Sequence, residues 1–305
     1  MHGLPEAHAL APGFPMAVSL NSNAVRSVWR VFRSDLRLPF GALILLAMII
    51  VAICAPWIAP HSPTDIHLRN RLLQPSLEHP LGTDKFGRDV ASRLVYGTRV
   101  SIVVGLMVVA ISAVLGFTIG TAAGYFGGLT DAIIMRLVDI MLAFPGFLFA
   151  LVLVATMGAN LRTVIIAISV AYSPRNALVM RSVILTVRET AYVDAALAAG
   201  AGSWRIVLRH VLPNAIPPLI VIASITAAIA ITAEAGLSFL GLGVQPPTPT
   251  WGAVISDGRD FVRTNPWISV SAGLVIMITV MALNLLGDAL RDILDPRMRG
   301  SLREM

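Results

Sequence analysis

The residues best suited to chemistry in this sequence are charged side chains inside otherwise apolar stretches. Placing one charge in the hydrocarbon part of a membrane costs at least about 2.5–3.5 kcal/mol, so such residues are candidate functional groups. The candidates are Arg136, Asp139, Arg175, Arg181 and Glu234. The first two are spaced to pair on one helix face, and the other two arginines could extend to a membrane surface. Glu234 could contact a solute or hydrogen-bond to the loop that follows it, and both interpretations stay open.

Residue sets that would indicate an enzyme or a metal site are absent from the sequence. The P-loop of an ATPase needs Gly-Lys-Ser/Thr, but the only lysine, Lys85, is followed by phenylalanine. The single cysteine, Cys54, excludes an intrachain disulfide. Four histidines are scattered without the spacing of metal ligands: His61, His67, His79 and His210. The sequence therefore predicts no catalytic, cofactor or metal site in this chain.

The composition is that of an integral membrane protein. Of 305 residues, 56% are hydrophobic and only 13% are charged, whereas soluble domains carry about 25% charged residues. The mean hydropathy is +0.79. A net charge of +6 would suggest a nucleic-acid partner for a soluble protein. In a membrane protein the same excess is expected from arginines that hold loops in the cytoplasm, so no nucleic-acid partner is predicted.

Six apolar segments approach the length of about 20 residues that a membrane crossing needs. They are 40–58, 100–123, 133–157, 164–183, 218–237 and 267–286. Because the number is even, both termini lie on one side. Four arginines before the first segment, at positions 26, 30, 33 and 37, place that side in the cytoplasm. Cys54 is predicted to be a small buried hydrophobic residue of the first segment.

The second segment carries Gly116, Gly120 and Gly124 at a spacing of four residues. This spacing places the three glycines on one helix face, where a neighbouring helix can approach closely. A moving helix contact and a static packing contact are both compatible with this pattern.

Residues 188–214, between the fourth and fifth segments, are too polar to lie in lipid. Alanines at positions 195, 196, 198 and 199 favour a short helix, and Gly200 is placed to end it. Ser203 could cap a second short helix that runs to Arg209 and is stopped by Pro213. The sequence therefore predicts a compact helix–turn–helix whose small side chains let another protein approach closely.

This stretch resembles the EAA loop of ABC importer permeases. The matching residues are Asp194-Ala195-Ala196, then Gly200 after three further residues, and Leu212-Pro213. Two positions differ from the family pattern, because Asp194 stands in place of glutamate and His210 in place of isoleucine. The run that begins at His210 is similar to the form found in the dipeptide and oligopeptide branch of the family.

A second segment, 81–93, is similar to the GTD-x-x-GRD segment ahead of the second helix in the same branch. Within it, Asp84 and Arg88 are four residues apart, as are Asp89 and Arg93. On a helix each pair would contribute about 0.3–0.5 kcal/mol. A structural role at the membrane surface is favoured here over contact with a substrate.

Two more segments continue the resemblance. The run 237–243 leading to Trp251-Gly252 is similar to the family's outer loop after the fifth helix. The run 284–292 with Asp295-Pro296-Arg297 is similar to its C-terminal signature. Four motifs in the same order cover about residues 26–300. They resemble the group of C-type permease subunits of peptide, nickel and glutathione importers.

The resemblance implies an all-α, polytopic membrane protein with six transmembrane helices and the type I ABC importer permease fold. It divides the chain into a cytoplasmic N-terminal tail (1–38) and a first transmembrane helix with an outer loop (39–99). A transmembrane core of five helices (100–290) follows, with the coupling loop at about 188–214, and then a cytoplasmic C-terminal tail (291–305).

In the family, the EAA loop docks in a groove of an ATPase subunit. The residues expected to couple are Tyr192, Asp194, Ala195, Ala196, Gly200, His210, Leu212 and Pro213. The implied partners are a second permease chain, two ATP-binding subunits and an extracytoplasmic substrate-binding protein, in the inner membrane of a bacterial cell. ATP and Mg²⁺ are then bound by the partners and no cofactor by this chain. Near the outer end of the fifth helix, Glu234 is a candidate for contact with the amino terminus of a peptide.

Several alternatives stay open. The substrate could be a dipeptide or oligopeptide, or else a nickel complex or glutathione. A channel or secondary transporter would need intramembrane acids or broken helices along an ion pathway, and only Asp139 and Glu234 are available. A membrane-embedded hydrolase would need a His/Glu metal pair or a Ser/His set inside the helices, which the sequence lacks.

Overall fold

The computed structural model describes residues 36–294, and these residues form helices and connecting loops without a β-strand. The helices are α1 (Arg37–Ile53), α2 (Ala55–Ile58), α3 (Val90–Phe126), α4 (Gly128–Ala143), α5 (Gly146–Met157), α6 (Leu161–Arg188), α7 (Ala191–Ala198), α8 (Ser203–Ile206), α9 (Leu212–Phe239), α10 (Trp251–Gly258) and α11 (Pro266–Leu294). The predicted all-α, polytopic fold class is confirmed. The first three arginines of the N-terminal tail and the motif Asp295-Pro296-Arg297 lie outside the described residues.

Four of the described helices are long and apolar enough to cross a membrane: α3, α6, the continuous helical run Ser203–Phe239, and α11. A fifth crossing results if α4 and α5 form one span. α1 is apolar but shorter, at 17 residues. Each of the six predicted apolar segments is therefore helical over most of its length.

The third predicted segment is bent rather than straight. The axes of α4 and α5 meet at 89°. Phe144 is extended (φ −93°, ψ 137°) because a residue before a proline, here Pro145, is disfavoured in the α region. The first segment is also interrupted, at Cys54, before the proline-containing turn of α2. Cys54 is partly exposed at this break, so the prediction that it is buried is wrong.

The glycines of α3 lie against the backbone of α6. A Cβ atom at Gly116 would approach the carbonyl carbon of Asn176 to 2.9 Å, and one at Gly120 would approach the amide nitrogen of Arg181 to 2.9 Å. At Gly124 it would lie 3.0 Å from the Cβ of Ile184. The two helices thus touch backbone to backbone, as the glycine spacing predicts, and the contact is compatible with both a static and a moving helix pair.

α3 and α6 run parallel, since Gly116, Gly120 and Gly124 meet successively later positions of α6, and this defines two ends of the bundle. At one end, the Nη1 of Arg188 donates to the carbonyl oxygen of Tyr125 at 3.2 Å, and α7 follows. We call this the α7 end. At the other end α3 begins at Val90, where Asp89 caps it by accepting a hydrogen bond from the Ser92 amide at 2.7 Å. α10 packs against the same end of α3, which we call the α10 end.

Candidate functional site

α7 is a two-turn helix that ends in a glycine turn. Gly200 has a φ of +81°, and its amide bonds to the carbonyl of Leu197 at 2.9 Å. The amide of Ala201 bonds to the carbonyl of Ala196 at 2.9 Å. These two bonds are those of a Schellman motif, in which glycine accepts the left-handed conformation without a steric penalty. The prediction that Gly200 ends this helix is confirmed.

One side chain anchors α7 to the bundle. Val193 is 1% exposed and packs in a cluster with Met180 and Ile184 of α6, and with Ile206 and Val211 beyond the turn. Val193 thus packs α7 against α6 and against the chain that leads into α9.

A polar contact joins α7 to the same region. The rings of Tyr192 and His210 lie 5.5 Å apart, centroid to centroid. Asn214 Nδ2 donates to the His210 carbonyl oxygen at 2.6 Å and to the Tyr192 hydroxyl oxygen at 3.4 Å. The structure thus brings together Tyr192 and His210, two predicted coupling residues that are far apart in the motif.

The opposite side of α7 is exposed. Asp194 and Ala195 are exposed, Ala196 is partly exposed, and Leu197 is 49% exposed. Beyond the turn, Trp204 is 76% exposed and Leu208 is 56% exposed. We call the exposed residues Asp194, Ala195, Leu197, Trp204 and Leu208 the α7 surface. Exposed apolar side chains on a segment too polar to lie in lipid indicate a surface that could contact another protein.

The second half of the predicted helix–turn–helix differs from the prediction. Gly202, not Ser203, is the N-cap of α8, and no side chain caps it. Pro213 does not stop the helix, because the chain passes through a π-helical turn, Val207–Val211, directly into α9. The amide of Leu212 bonds to the carbonyl of Val207, five residues back. Pro213 then sits in the first turn of α9, directly after this π-helical turn.

A buried ion-pair network lies at the α10 end. Arg88 Nε donates to Asp84 Oδ2 at 2.7 Å, so the predicted ion pair is confirmed, although both residues lie in a turn ahead of α3 and not on a helix. Arg93 does not pair with Asp89 through its side chain. Instead, its Nη1 contacts Asp84 Oδ2 at 2.5 Å and Asp257 Oδ2 at 2.9 Å. Asp89 is occupied as the cap of α3.

Asp257 completes this network from α10, 164 residues beyond Arg93. Its carboxylate also contacts Arg88 Nη2 at 2.8 Å and Lys85 Nζ at 3.0 Å. Burial raises the pKa of Asp257, but the charge of Arg93 and the hydrogen bonds from Lys85 and Arg93 outweigh burial and hold this pKa below its ordinary value. Sequence reasoning missed Asp257, since no local pattern marks it.

A cavity of about 260 Å³ borders the network. Arg88, Arg93 and Asp257 form part of its wall, and the loop 241–248 forms much of the rest. Trp251, at the start of α10, is fully buried and donates from Nε1 to the carbonyl of Leu94 at 3.0 Å. The similarity of 81–93 and 237–252 to family motifs therefore has a structural basis, because both segments build the α10 end.

Glu234 lies in the interior of α9 and is 0% exposed. Its Oε1 accepts a hydrogen bond from Ser238 Oγ of the same helix at 2.6 Å, whereas its Oε2 is buried without a hydrogen-bond partner among the described residues. Both interpretations of Glu234, contact with a solute and contact with the following loop, stay open.

The other charged candidates are arranged differently from the prediction. Among the residues that the structure describes, Arg181 forms a two-bond ion pair with Asp131, with Nε–Oδ1 and Nη2–Oδ2 distances of 2.5 Å. Arg136 and Asp139 are both exposed, and no ion pair joins them within the described part of the chain. Asp131 of α4 thus takes the structural role that the spacing had suggested for Asp139.

Two protein families match the sequence. Residues 116–300 match the family described as binding-protein-dependent transport system inner membrane component. Residues 24–75 match the N-terminal TM domain of oligopeptide transport permease C. The first match covers more than half of the chain and includes α7, its surface and α9.

Individual relatives agree with the family match. A protein of Brucella suis biovar 1, named as a peptide transport system permease protein, is 46% identical over 259 residues, 85% of this chain and 87% of that protein. The dipeptide transport system permease protein DppC of Alkalihalophilus pseudofirmus is 42% identical, covering 85% of each chain. The glutathione transport system permease protein GsiD of Pectobacterium atrosepticum is 37% identical over 92% of this chain and 95% of that protein.

A solved structure has the same fold. A chain of the MetNI methionine ABC transporter, in an inward-facing conformation, superposes with a TM-score of 0.54 at 18% identity. The match covers 66% of this chain and 96% of that chain. The chain described here therefore belongs to the family of binding-protein-dependent transport system inner membrane components and is a DppC/OppC-like permease of an ABC importer.

Proposed function

We propose that this permease forms, together with a second permease chain, the membrane pathway for dipeptides, oligopeptides or related small solutes. The names of the relatives support a peptide substrate, since the two with the highest identity described above are permeases of peptide and dipeptide systems. Glutathione is a second candidate, supported by the relative of 37% identity, and it is itself a peptide-like solute. An extracytoplasmic binding protein delivers the solute to the complex.

We further propose that α7 couples the pathway to ATP hydrolysis in two partner subunits. The observation that carries this proposal is the two-sided character of α7. Val193 is buried against α6, whereas Asp194 and Ala195 are exposed on the other side. A partner docked on the α7 surface would move α6 and α9 through Val193, and solute in the pathway would act back on the partner, because coupling is reciprocal. ATP and Mg²⁺ are bound by the partners.

The coupling role sets the orientation of the chain. Five arginines lie on the segments that lead to and from α7, at positions 175, 181, 188, 205 and 209. Positive charge concentrates in cytoplasmic loops, so the α7 end faces the cytoplasm of a bacterial cell and the α10 end faces outward. Both termini are then cytoplasmic, and the cavity beside Asp257 opens toward the binding protein.

The test is the ATPase activity of the complex reconstituted from this chain and its partners, with and without loaded binding protein. In the variant Ala195→Trp the exposed alanine becomes a bulky side chain at the centre of the proposed contact. Overpacking costs about 1–3 kcal/mol, so the stimulated ATPase activity and uptake should fall roughly 5- to 150-fold. Ala155→Trp, at an exposed alanine of α5, is the matched control and should retain both activities.

The choice of position follows from the structure. A bulky residue at Gly200 would test the turn rather than the contact, because its φ of +81° strains any other residue. If Ala195→Trp assembles with its partners and keeps full stimulated ATPase activity and uptake, α7 is not the coupling element.

A further inference from the structure

Two histidines and a glutamate that are separated in the sequence meet at the α10 end. His61 follows α2, whereas Glu78 and His79 lie in the loop that leads to α3. One donor atom from each of the three side chains lies within 4.8 Å of the other two. The rings of His61 and His79 are 4.6 Å apart, centroid to centroid, and tilted by 32°. Imidazole nitrogens and a carboxylate oxygen are the ligand set of three-ligand zinc sites.

The orientation of His79 is that of a metal ligand with its supporting carboxylate. His79 is 6% exposed, and its Nδ1 lies 2.9 Å from Asp89 Oδ1. Because Asp89 Oδ2 is held by the Ser92 amide at 2.7 Å, this carboxylate is fixed in position. A carboxylate that accepts the Nδ1 proton fixes the tautomer in which Nε2 carries the free electron pair.

His61 supplies an uncommitted second nitrogen. Its Nδ1 is buried at the atom level and has no hydrogen-bond partner among the described residues. Asp89 Oδ1 is 3.8 Å away and already bonded to His79. Burying a polar atom without a hydrogen-bond partner costs free energy, so this nitrogen is a candidate to bind a ligand.

The backbone holds both histidines in place. The His61 amide donates to Ser92 Oγ at 3.0 Å. The His79 amide donates to Ser76 Oγ at 3.0 Å, and the His79 carbonyl accepts from the amides of Ser76 and Gly82 at 2.9 and 2.8 Å. The site is therefore preorganised on the histidine side, which lowers the entropic cost of binding.

Glu78 provides the adjustable ligand and the entry path. Ligands around a tetrahedral ion lie about 3.3 Å apart, so the three donor atoms must close by up to about 1.5 Å. Glu78 is exposed and can rotate to do so, whereas His61 is partly exposed and leaves the approach open. With neutral imidazoles, Glu78 and Asp89 bring two negative charges to the site, which match a divalent cation.

We propose that His61, Glu78 and His79 bind a divalent transition-metal ion, with Zn²⁺ the best fit, and that Asp89 positions His79 for it. The sequence predicted no metal site because the histidines lack the spacing of metal ligands along the chain. The fold nevertheless brings His61 and His79 together. Three protein ligands leave one coordination position for water or for a donor group from another molecule. The bound ion would tie the loop 59–89 to the start of α3.

The test uses the purified full chain without a histidine tag, in detergent and metal-free buffer, titrated with Zn²⁺ against a chromophoric chelator. We expect one tight equivalent per chain and an upward shift in Tm on addition of Zn²⁺. His61→Ala, Glu78→Gln and His79→Ala should each weaken binding at least tenfold. The matched control is His67→Ala, an exposed histidine of the same loop outside the cluster, which should bind as the unmodified chain does.

The variant Asp89→Asn separates a positioning role from a folding role. Asparagine caps a helix as well as aspartate does, so α3 should keep its start and the chain its Tm in the absence of metal. Loss of the supporting carboxylate should nevertheless weaken Zn²⁺ binding roughly 10- to 100-fold. The proposal is overturned if the unmodified chain takes up no stoichiometric Zn²⁺, or if His67→Ala lowers the affinity as much as the cluster variants do. Neither result depends on whether the chain transports peptides.

Discussion

Removing the charge of Asp257 should strongly destabilise the α10 end, because this one carboxylate contacts three cationic side chains. Asp257 contacts Lys85, Arg88 and Arg93 at 2.8–3.0 Å. Together with Asp84, it balances these three cations with two carboxylates. The variant Asp257→Asn leaves one carboxylate for three cations, of which Arg93 has only 3% of its side chain exposed.

The expected cost follows from this burial. Removing one partner of a buried ion pair costs about 3–5 kcal/mol, because the remaining charge is left without compensation. The Asp257 side chain is 16% exposed and that of Lys85 is 34% exposed, so solvent screening lowers the figure to about 2–4 kcal/mol. A domain of this size loses about 2–4 °C in Tm per kcal/mol, which gives a decrease of roughly 5–15 °C.

The assay is thermal unfolding of the purified chain in detergent. Asp260→Asn is the matched control, because Asp260 pairs with Arg259 at 3.4 Å with both side chains more than 60% exposed. An exposed pair contributes about 0–1 kcal/mol, so this variant should unfold within about 3 °C of the unmodified chain. The reasoning about the network is refuted if Asp257→Asn lowers Tm by no more than Asp260→Asn does.

The pH dependence gives a second check. The pKa of Asp257 in the folded chain is below its ordinary value of 3.8. The stability it contributes is therefore fully present above pH 3.8 and is lost as the pH falls through the lower folded-state pKa. The difference in Tm between Asp257→Asn and the unmodified chain should stay constant from pH 8 to pH 5 and narrow only below about pH 4.

Three further predictions concern the packing of α3, the coupling surface and the orientation. At Gly120 a Cβ atom would already approach an amide nitrogen of α6 to 2.9 Å, so Gly120→Leu should lower Tm by several degrees or more. At Gly273 a Cβ atom would meet open space, so the control variant Gly273→Leu should keep its Tm. Asp194→Arg should leave Tm and membrane insertion unchanged, since its side chain is exposed, but should sharply reduce the stimulated ATPase activity of the complex; retained activity would exclude a role for this charge. In a cysteine-free background, a cysteine at Ser203 should react only with reagents that reach the cytoplasm and one at Thr248 only from outside, and the reverse pattern would invert the proposed orientation.

The local structure of this protein could be read from its sequence. The apolar segments predicted the helices because a membrane-spanning helix needs a continuous run of apolar residues, which is a local property. The turn at Gly200 was predictable for the same reason, since a run of alanines followed by glycine specifies a short helix and its end. The motif around Asp194 likewise placed the candidate coupling surface on a polar segment between two crossings.

Which side chains meet was decided by the tertiary structure. Arg93 pairs with Asp257, which lies 164 residues away, and not with the nearby Asp89, because α10 packs against the start of α3 and Asp89 is already committed to the cap. The helix was expected to stop at Pro213 but continues through it. The turn before Pro213 is π-helical, and the Leu212 amide there bonds to the carbonyl of Val207, five residues back. His61 and His79 meet because the Ser92 hydroxyl and the Asp89 carboxylate hold both at the start of α3. Helices follow from interactions between residues a few positions apart. Ion pairs and ligand clusters depend on which elements pack together, and the spacing of residues along the chain does not specify this packing.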